Sequence, residues 1–454
     1  MSIPFLPGKL QGKERREILQ EVQEQAKIAA RAAIQPVLET FLEAEVTAKL
    51  GREPGETRRI TSQPRTIDWQ CANCGCRDAN QFMRDGHYRR GLGTSWGSID
   101  DLRVPMMECQ HCQHDVVSHF AILEKYQRFW MDLDQDVLVS SGLGMSLRQL
   151  QERWSATVEG SIGLRTLNER INQGERLASC AHTAPLADIP PVIQFDGIWV
   201  TIQSQQEKIK PDTRQRQRHQ RSGKKQVVLV ALGFWEDGRR EVLDWQIARS
   251  EDHSEWEVLV HRLWERGCQP ERGLQVVVRD GSGGLGEALA LVYGTTVKEQ
   301  RCLFHTLQNV STKGRSELKG QEKKEMRKQL MEQAAAIYQA EDRDEALHRL
   351  SQWREQWHEH APQAVATLVR DFEQTLVFYS ISGLALEWIR TTSLLERTNR
   401  ELRRKFRLVV TFGSLNGAEV ALYLQIRRLH ARWSQEGWWE TSREVFFDLW
   451  KPHP

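Results

Sequence analysis

The sequence predicts an α/β core of ribonuclease-H-like type interrupted by an all-α insertion, behind N-terminal helical, zinc-ribbon and helix-turn-helix modules. Three observations predict this. From Val192, apolar runs able to pair as a meander give way to alternating helix and strand patterns. Two of those runs end in Asp-Gly, at Asp196 and Asp280, and a third acid, Glu396, lies in a much later helical pattern. Two Cys-x-x-Cys pairs, Cys71/Cys74 and Cys109/Cys112, stand ahead of the core.

The totals set the frame. A chain of 454 residues has room for two to four domains, and 27% charged with 39% hydrophobic residues is an ordinary soluble composition. No apolar run reaches the roughly 18 residues of a membrane span, so no membrane partner is expected. The N-terminus lacks a charged segment followed by an apolar one, so a cytoplasmic chain is expected rather than a secreted one. Net charge is only +2, which makes local patches the informative quantity. Five of the eight cysteines cluster, a pattern that suits zinc in a reducing compartment better than disulfides.

Taken in order, 1–60 forms an N-terminal helical region. Apolar residues recur at helical spacing from Ile18 to Leu42, and Pro36 is expected to divide the segment into two helices. Residues 61–120 are β-rich around the cysteines and form the zinc ribbon. Residues 121–183 return to helix. There Ser146 is an N-cap for a helix to about Trp154, and a second helix from about 161 to 171 completes a helix-turn-helix-like pair. A Pro-rich linker, Ala184 to Pro191, precedes the first part of the core at 190–298. Its strands are expected at 192–196, 198–203, 225–234, 240–247 and 274–279, with helices at 254–266 and 282–291. Residues 299–390 read as almost continuous helix, too long for a loop and therefore an insertion domain. The last segment, 391–454, returns to the core with helices near 393–406 and 416–434.

Four thiolates as two Cys-x-x-Cys knuckles, 34 residues apart, suit a closed tetrahedral zinc site. Such a site has no open position, so its role is structural. Cys76, His87, His111 and His114 are nearby alternates, and unrelated buried cysteines are the plain alternative. The three acids suit a different ion. Mg²⁺ takes hard oxygen ligands from one or two carboxylates and substrate phosphate, and paired ions stabilise both oxygens of an in-line displacement. A single Asp-Gly after an apolar run is usually only a strand ending in a turn. The combination of Asp196, Asp280 and Glu396 is what points to phosphoryl transfer on Mg²⁺ (or Mn²⁺).

Gly281-Ser282-Gly283-Gly284-Leu285-Gly286 lacks the lysine of a P-loop and the dinucleotide spacing. Its glycines are expected to let backbone approach a DNA phosphate beside Asp280. Cys302 and His305 share a helix face, more often packing than a nucleophilic pair, and His305 is a candidate for positioning DNA. A cationic stretch between two core strands holds Lys208, Lys210, Arg214, Arg216, Arg218 and Arg221, placed to hold phosphates near the acids. Glu396, Arg400, Arg403 and Arg407 fall on one helix face. A surface ion-pair ladder explains Arg403 and Arg404 poorly, because few acids lie nearby.

These motifs together resemble the Mutator-like DDE transposases of bacterial insertion sequences. The resemblance rests on Phe195-Asp196-Gly197, on Arg279 to Gly284, on Arg301-Cys302-Leu303-Phe304-His305 with its following Thr-Leu-Gln-Asn, and on Thr391 to Arg404. It covers about 190–430. Ser393 stands where the family often has Asn, and Gln308 where it often has Arg; neither change removes a carboxylate.

The resemblance implies an enzyme that cuts the ends of its element to leave 3′-hydroxyls and joins them to target DNA. Asp196 and Asp280 would hold one metal, and Glu396 would complete a second with Asp196. Partners would be double-stranded DNA (terminal inverted repeats and target) and a second copy of the chain, because two ends must be paired. Two other readings stand beside it. One is a zinc-containing DNA-binding regulator without nuclease activity, and the other is a ribonuclease-H-like nuclease that cleaves without joining.

Overall fold

The computed structural model describes residues 15–56, 63–123, 125, 127–158, 162–172, 174–204, 222–408 and 415–435. The chain divides into two compact units, Met1–Ser141 with Met145–Arg170, and Gly142–Gly144 with Ile171–Pro454.

In the first unit, α1 (Arg15–Leu50) buries Leu38, Leu42, Val46 and Leu50, a four-residue repeat along one stripe. The helix runs unbroken through Pro36, where a division was expected. A mid-helix proline costs about 3 kcal/mol. Ile34 and Leu38, on either side of it, both pack into the underlying core, and each such burial returns roughly 1.5–3 kcal/mol. That core sits on an antiparallel sheet of β1 (Gln70–Cys71), β2 (Phe82–Thr94), β3 (Gly97–Cys109) and β4 (His114–Val117), in the order β1-β4-β3-β2. Trp69, Phe82, Leu102 and Met107 fill it. Three helices follow: α2 (Met131–Leu143), α3 (Leu147–Thr157) and α4 (Leu164–Asn172). Ser146 opens α3 with a reciprocal capping box to Gln149.

The second unit begins with α5 (Gly174–Thr183) and is built on five strands: β5 (Val192–Ser204), β6 (Ser222–Phe234), β7 (Arg240–Ala248), β8 (Val276–Arg279) and β9 (Lys298–Arg301). Their order is β7-β6-β5-β8-β9. The first three pair antiparallel, while β5–β8 and β8–β9 are parallel. The two strands expected at 192–196 and 198–203 are one, because pairing with β6 continues through Gly197. β9, Lys-Glu-Gln-Arg, carries no apolar alternation and was read as part of the helical stretch. It is a strand because all four of its residues pair with β8.

One face of this sheet is covered by α6 (His253–Glu265) and α7 (Gly283–Tyr293), which bury Trp256, Leu259, Leu285 and Leu289 against Phe195 and Leu229. After β9 come α8 (Leu303–Glu317), α9 (Lys324–Ile337), α10 (Arg343–Trp357), α11 (Pro362–Arg370), α12 (Phe372–Thr375) and α13 (Leu386–Ile389). The chain then returns through α14 (Ser393–Leu408) and α15 (Leu415–Trp433). Among the described residues no helix is long and apolar enough to cross a membrane.

Candidate active site and metal centre

Register brings the two aspartates together. Gln194 on β5 lies beside Val278 on its parallel neighbour β8, so two places further on Asp196 stands beside Asp280. Asp280 ends its strand by accepting the Ser282 backbone N–H at 2.9 Å. Asp196 accepts the Gly197 N–H at 2.9 Å through Oδ1 and the Asn399 side-chain amide at 2.8 Å through Oδ2. Burial pushes the Asp196 carboxyl up to about 6. The negative charge of Asp280 adds to this, and the bonds from Gly197 and Asn399 with the charge of His305 oppose it.

Glu396 arrives from much further along the chain, and two buried glutamines fix where it lands. Gln194, with no exposed surface, donates to the carbonyls of Trp388 at 2.8 Å and Thr391 at 2.9 Å. Its Oε1 accepts the Leu395 N–H at 3.2 Å. Gln300, equally buried on β9, donates to the Thr375 carbonyl at 3.0 Å and accepts the Phe378 N–H at 2.8 Å. Thr392 adds two contacts of 3.3 Å to the Cys302 sulfur, from its N–H and its hydroxyl. The helical excursion is therefore tied to the sheet at its end, and α14 starts against β5.

Cys302 is the N-cap position of α8, and His305 sits in its first turn. His305 Nε2 lies 3.6 Å from Glu396 Oε1, and Nδ1 is 3.5 Å from the Thr392 hydroxyl. The bond to Cys302 raises His305 to about 9 against the opposing effect of burial, with further help from the charges of Cys302, Asp196 and Glu396. At neutral pH it is an imidazolium facing the acids.

Asp196, Asp280, Glu396 and His305 thus share one neighbourhood. The three carboxylates do not close on one another: among the described residues, only the four cysteines place three or more ligand atoms within 4.8 Å. The donor set nevertheless fits a hard cation. Glu396 Oε1 and the Asn399 side-chain oxygen are buried and have no hydrogen-bond partner. Neighbouring carboxylates whose burial disfavours their charge are relieved by divalent ions.

Two residues here were missed from the sequence. Asn399, 3% exposed, read as an ordinary polar residue of a helix. Glu251 read as acid at the start of α6, where a helix dipole favours it. Its Oε1 instead lies 2.7 Å from where a Cβ on Gly197 would stand. The glycine-rich loop also serves the protein's own packing rather than the phosphate approach expected of it. A Cβ at Gly284 would lie 2.7 Å from the Glu251 carbonyl and the His253 nitrogen, and one at Gly286 would lie 2.9 Å from the Arg279 guanidinium. Gly281 makes room for Arg301 in the same way.

Of the cationic candidates, Lys208, Lys210, Arg214, Arg216, Arg218 and Arg221 lie outside the described residues, as does the side chain of Arg404. Arg400 is exposed and Arg403 partly so, on the helix that carries Glu396.

The cysteine cluster lies in the first unit. Cys71 ends β1 and Cys109 ends β3, which β4 bridges. Gly75 and Gln113, each just after the second cysteine of a knuckle, take left-handed backbones with φ of 68° and 57°. Sulfur separations are 3.2 Å for Cys71–Cys112, 3.5 Å for Cys74–Cys112 and 3.8 Å for Cys74–Cys109. Tetrahedral ligands about 2.3 Å from a zinc ion would stand about 3.8 Å apart. The cluster can hold a structural metal such as zinc. His87 is engaged by Glu43 at 2.6 Å, and His114 donates from Nδ1 to the Cys112 carbonyl at 2.7 Å.

The model of the Mutator family of transposases matches residues 9–436. The chain is 26% identical over 432 residues to the transposase of insertion sequence ISRM5 from Rhizobium meliloti, covering 93% of this chain and 92% of that protein. It is 23% identical to the IS905 transposase of Lactococcus lactis, covering 89% and 92%. It is 24% identical to the IS256 transposase of transposon Tn4001 from Staphylococcus aureus, covering 78% and 82%. With a match across nearly its whole length, the chain belongs to the Mutator family and is an insertion-sequence transposase.

Proposed function

We propose that this transposase cleaves the ends of its own insertion sequence and joins the freed 3′-hydroxyls to target DNA by in-line phosphoryl transfer at Asp196, Asp280 and Glu396. The observation that carries this is the join between strand and returning helix: Asp196 and Asp280 end adjacent parallel strands, and Asn399, one turn beyond Glu396, bonds Asp196 directly. The mixed five-stranded sheet, with its acids at neighbouring strand ends, supports a ribonuclease-H-like core.

Asp196, Asp280 and Glu396 hold Mg²⁺ (or Mn²⁺), which supplies Lewis acidity and a water of lowered pKa at the scissile phosphate. Asn399 orients the Asp196 carboxylate. The His305 imidazolium offsets negative charge beside Glu396, where a phosphate must enter. Arg400, Arg403 and Arg404 continue along α14 as a row of guanidinium groups for the DNA backbone, joined by Lys208, Lys210, Arg214, Arg216, Arg218 and Arg221. Zinc on Cys71, Cys74, Cys109 and Cys112 holds the ribbon that, with the helix-turn-helix-like pair, reads the terminal repeats. Two copies pair the two ends.

The test uses the full chain, DNA carrying the inverted repeats that flank its gene, and a supercoiled target. Mg²⁺-dependent nicks at the repeat ends and joined products are expected. Binding without any nicking in Mg²⁺ or Mn²⁺ would make the chain a regulator, and nicks without joined products would make it a nuclease.

A further inference from the structure

We infer that Glu251 is a fourth carboxylate ligand of the divalent-cation site at Asp196 and Asp280, admitted there by two glycines. The inference rests on the proposed function of that site. Glu251 lies between β7 and α6, on the sheet face opposite the one that receives α14. Phe195, next to Asp196, packs against α6, so Gly197 faces the same way and Asp196 the other. Asp280, at the end of its strand, is within reach of both. The Glu251 carboxylate occupies the space a side chain at Gly197 would need, 2.7 Å from that missing Cβ. Gly284 does the same from below, since a Cβ there would collide with the backbone of 251–253 at 2.7 Å. Neither glycine needs a left-handed backbone. Their common effect is to let Glu251 approach.

What surrounds Glu251 gives its charge no counterion. The groups acting on it are Asp280, which repels it, and the Trp199 side chain, which hydrogen-bonds it. Burial is the largest influence and also disfavours the charge. A half-buried carboxylate held against another is an arrangement a cation resolves. A second feature points to a ligand at the same place. Asn399 is 3% exposed, its amide N–H binds Asp196, and its amide oxygen, beside the same carboxylate, has no partner. Glu251 and Asn399 therefore approach the aspartates from opposite faces of the sheet, each with oxygen available.

The test reads metal binding without DNA. Mn²⁺ is titrated into the full chain and followed by the shift in melting temperature and by the loss of free-ion electron spin resonance signal. Glu251→Gln, which keeps size and the Trp199 contact, is expected to weaken Mn²⁺ binding at least fivefold and to raise the melting temperature of the metal-free protein. Gly197→Ala, which displaces the carboxylate without removing it, is expected to weaken binding as well, while Glu265→Gln at the exposed end of α6 leaves it unchanged. Asp196→Asn serves as the reference for loss. Wild-type Mn²⁺ affinity in Glu251→Gln, with affinity lost in Asp196→Asn, overturns the inference and leaves the proposed active site standing. Wild-type affinity in both variants overturns the two together.

Discussion

Gln194 and Leu395 are separated by 201 positions in the chain, yet the Leu395 backbone N–H donates to the Gln194 side chain at 3.2 Å. The bond matters because of its neighbours. Gln194 is two residues before Asp196 on one strand, and Leu395 is one residue before Glu396 on the helix. A buried side-chain amide that satisfies two carbonyls and one N–H fixes the helix start to the strand.

Replacing Gln194 by Leu keeps the volume but leaves the Trp388 and Thr391 carbonyls and the Leu395 N–H without this partner. The expected cost is about 2–4 kcal/mol of stability in the second unit. Strand cleavage is expected to fall at least about 100-fold as Glu396 shifts, with metal-free binding to the element ends nearly unchanged. Denaturant melts, gel shifts and cleavage assays measure the three. Wild-type cleavage by a folded Gln194→Leu protein would show that the clamp does not position Glu396.

Asp196→Asn, Asp280→Asn and Glu396→Gln are each expected to reduce cleavage by about 1,000-fold or more while binding to the ends persists. A sequencing gel that shows full cleavage with any one of them removes that residue from the site.

Cys71→Ser with Cys74→Ser halves the thiolate set. Zinc content is expected to drop from one per chain to none, and the first unit to lose its cooperative melt while the second keeps it. Unchanged zinc by mass spectrometry would contradict the assignment.

His430 on α15 gives the second unit an acid-sensitive point. Its ring accepts the Val242 N–H at 2.9 Å through Nε2, so it must be neutral there. Burial first, then the charge of Arg427, holds its pKa down to about 4. The unfolded chain takes up this proton near pH 6.5 and the folded one only near 4. This contribution is thus complete above 6.5 and lost as pH falls from 6.5 to 4, by about 2 kcal/mol. His430→Gln, which still offers an acceptor, should flatten that part of the stability–pH curve. An unchanged slope would place the titration elsewhere.

Local pattern was enough for much of the fold. Apolar runs marked β5 through β8, because a strand buried on a sheet needs them whatever its partner. Ser146 marked the start of α3, since a cap acts only on its own helix turn. Asp196, Asp280 and Glu396 stood out because each sits at the end or start of a locally legible element, and the cysteine knuckles because a metal fixes their spacing. The tertiary structure alone decided the rest. β9 is charged and becomes a strand only beside β8. Pro36 leaves its helix whole because packing on both sides outweighs the local cost. Gln194, Gln300, Asn399 and Glu251 carry no periodic signal at all. Their roles come from partners brought close by strand register and by the return of the chain after the insertion, and polar contacts of that kind have no shadow in neighbouring residues.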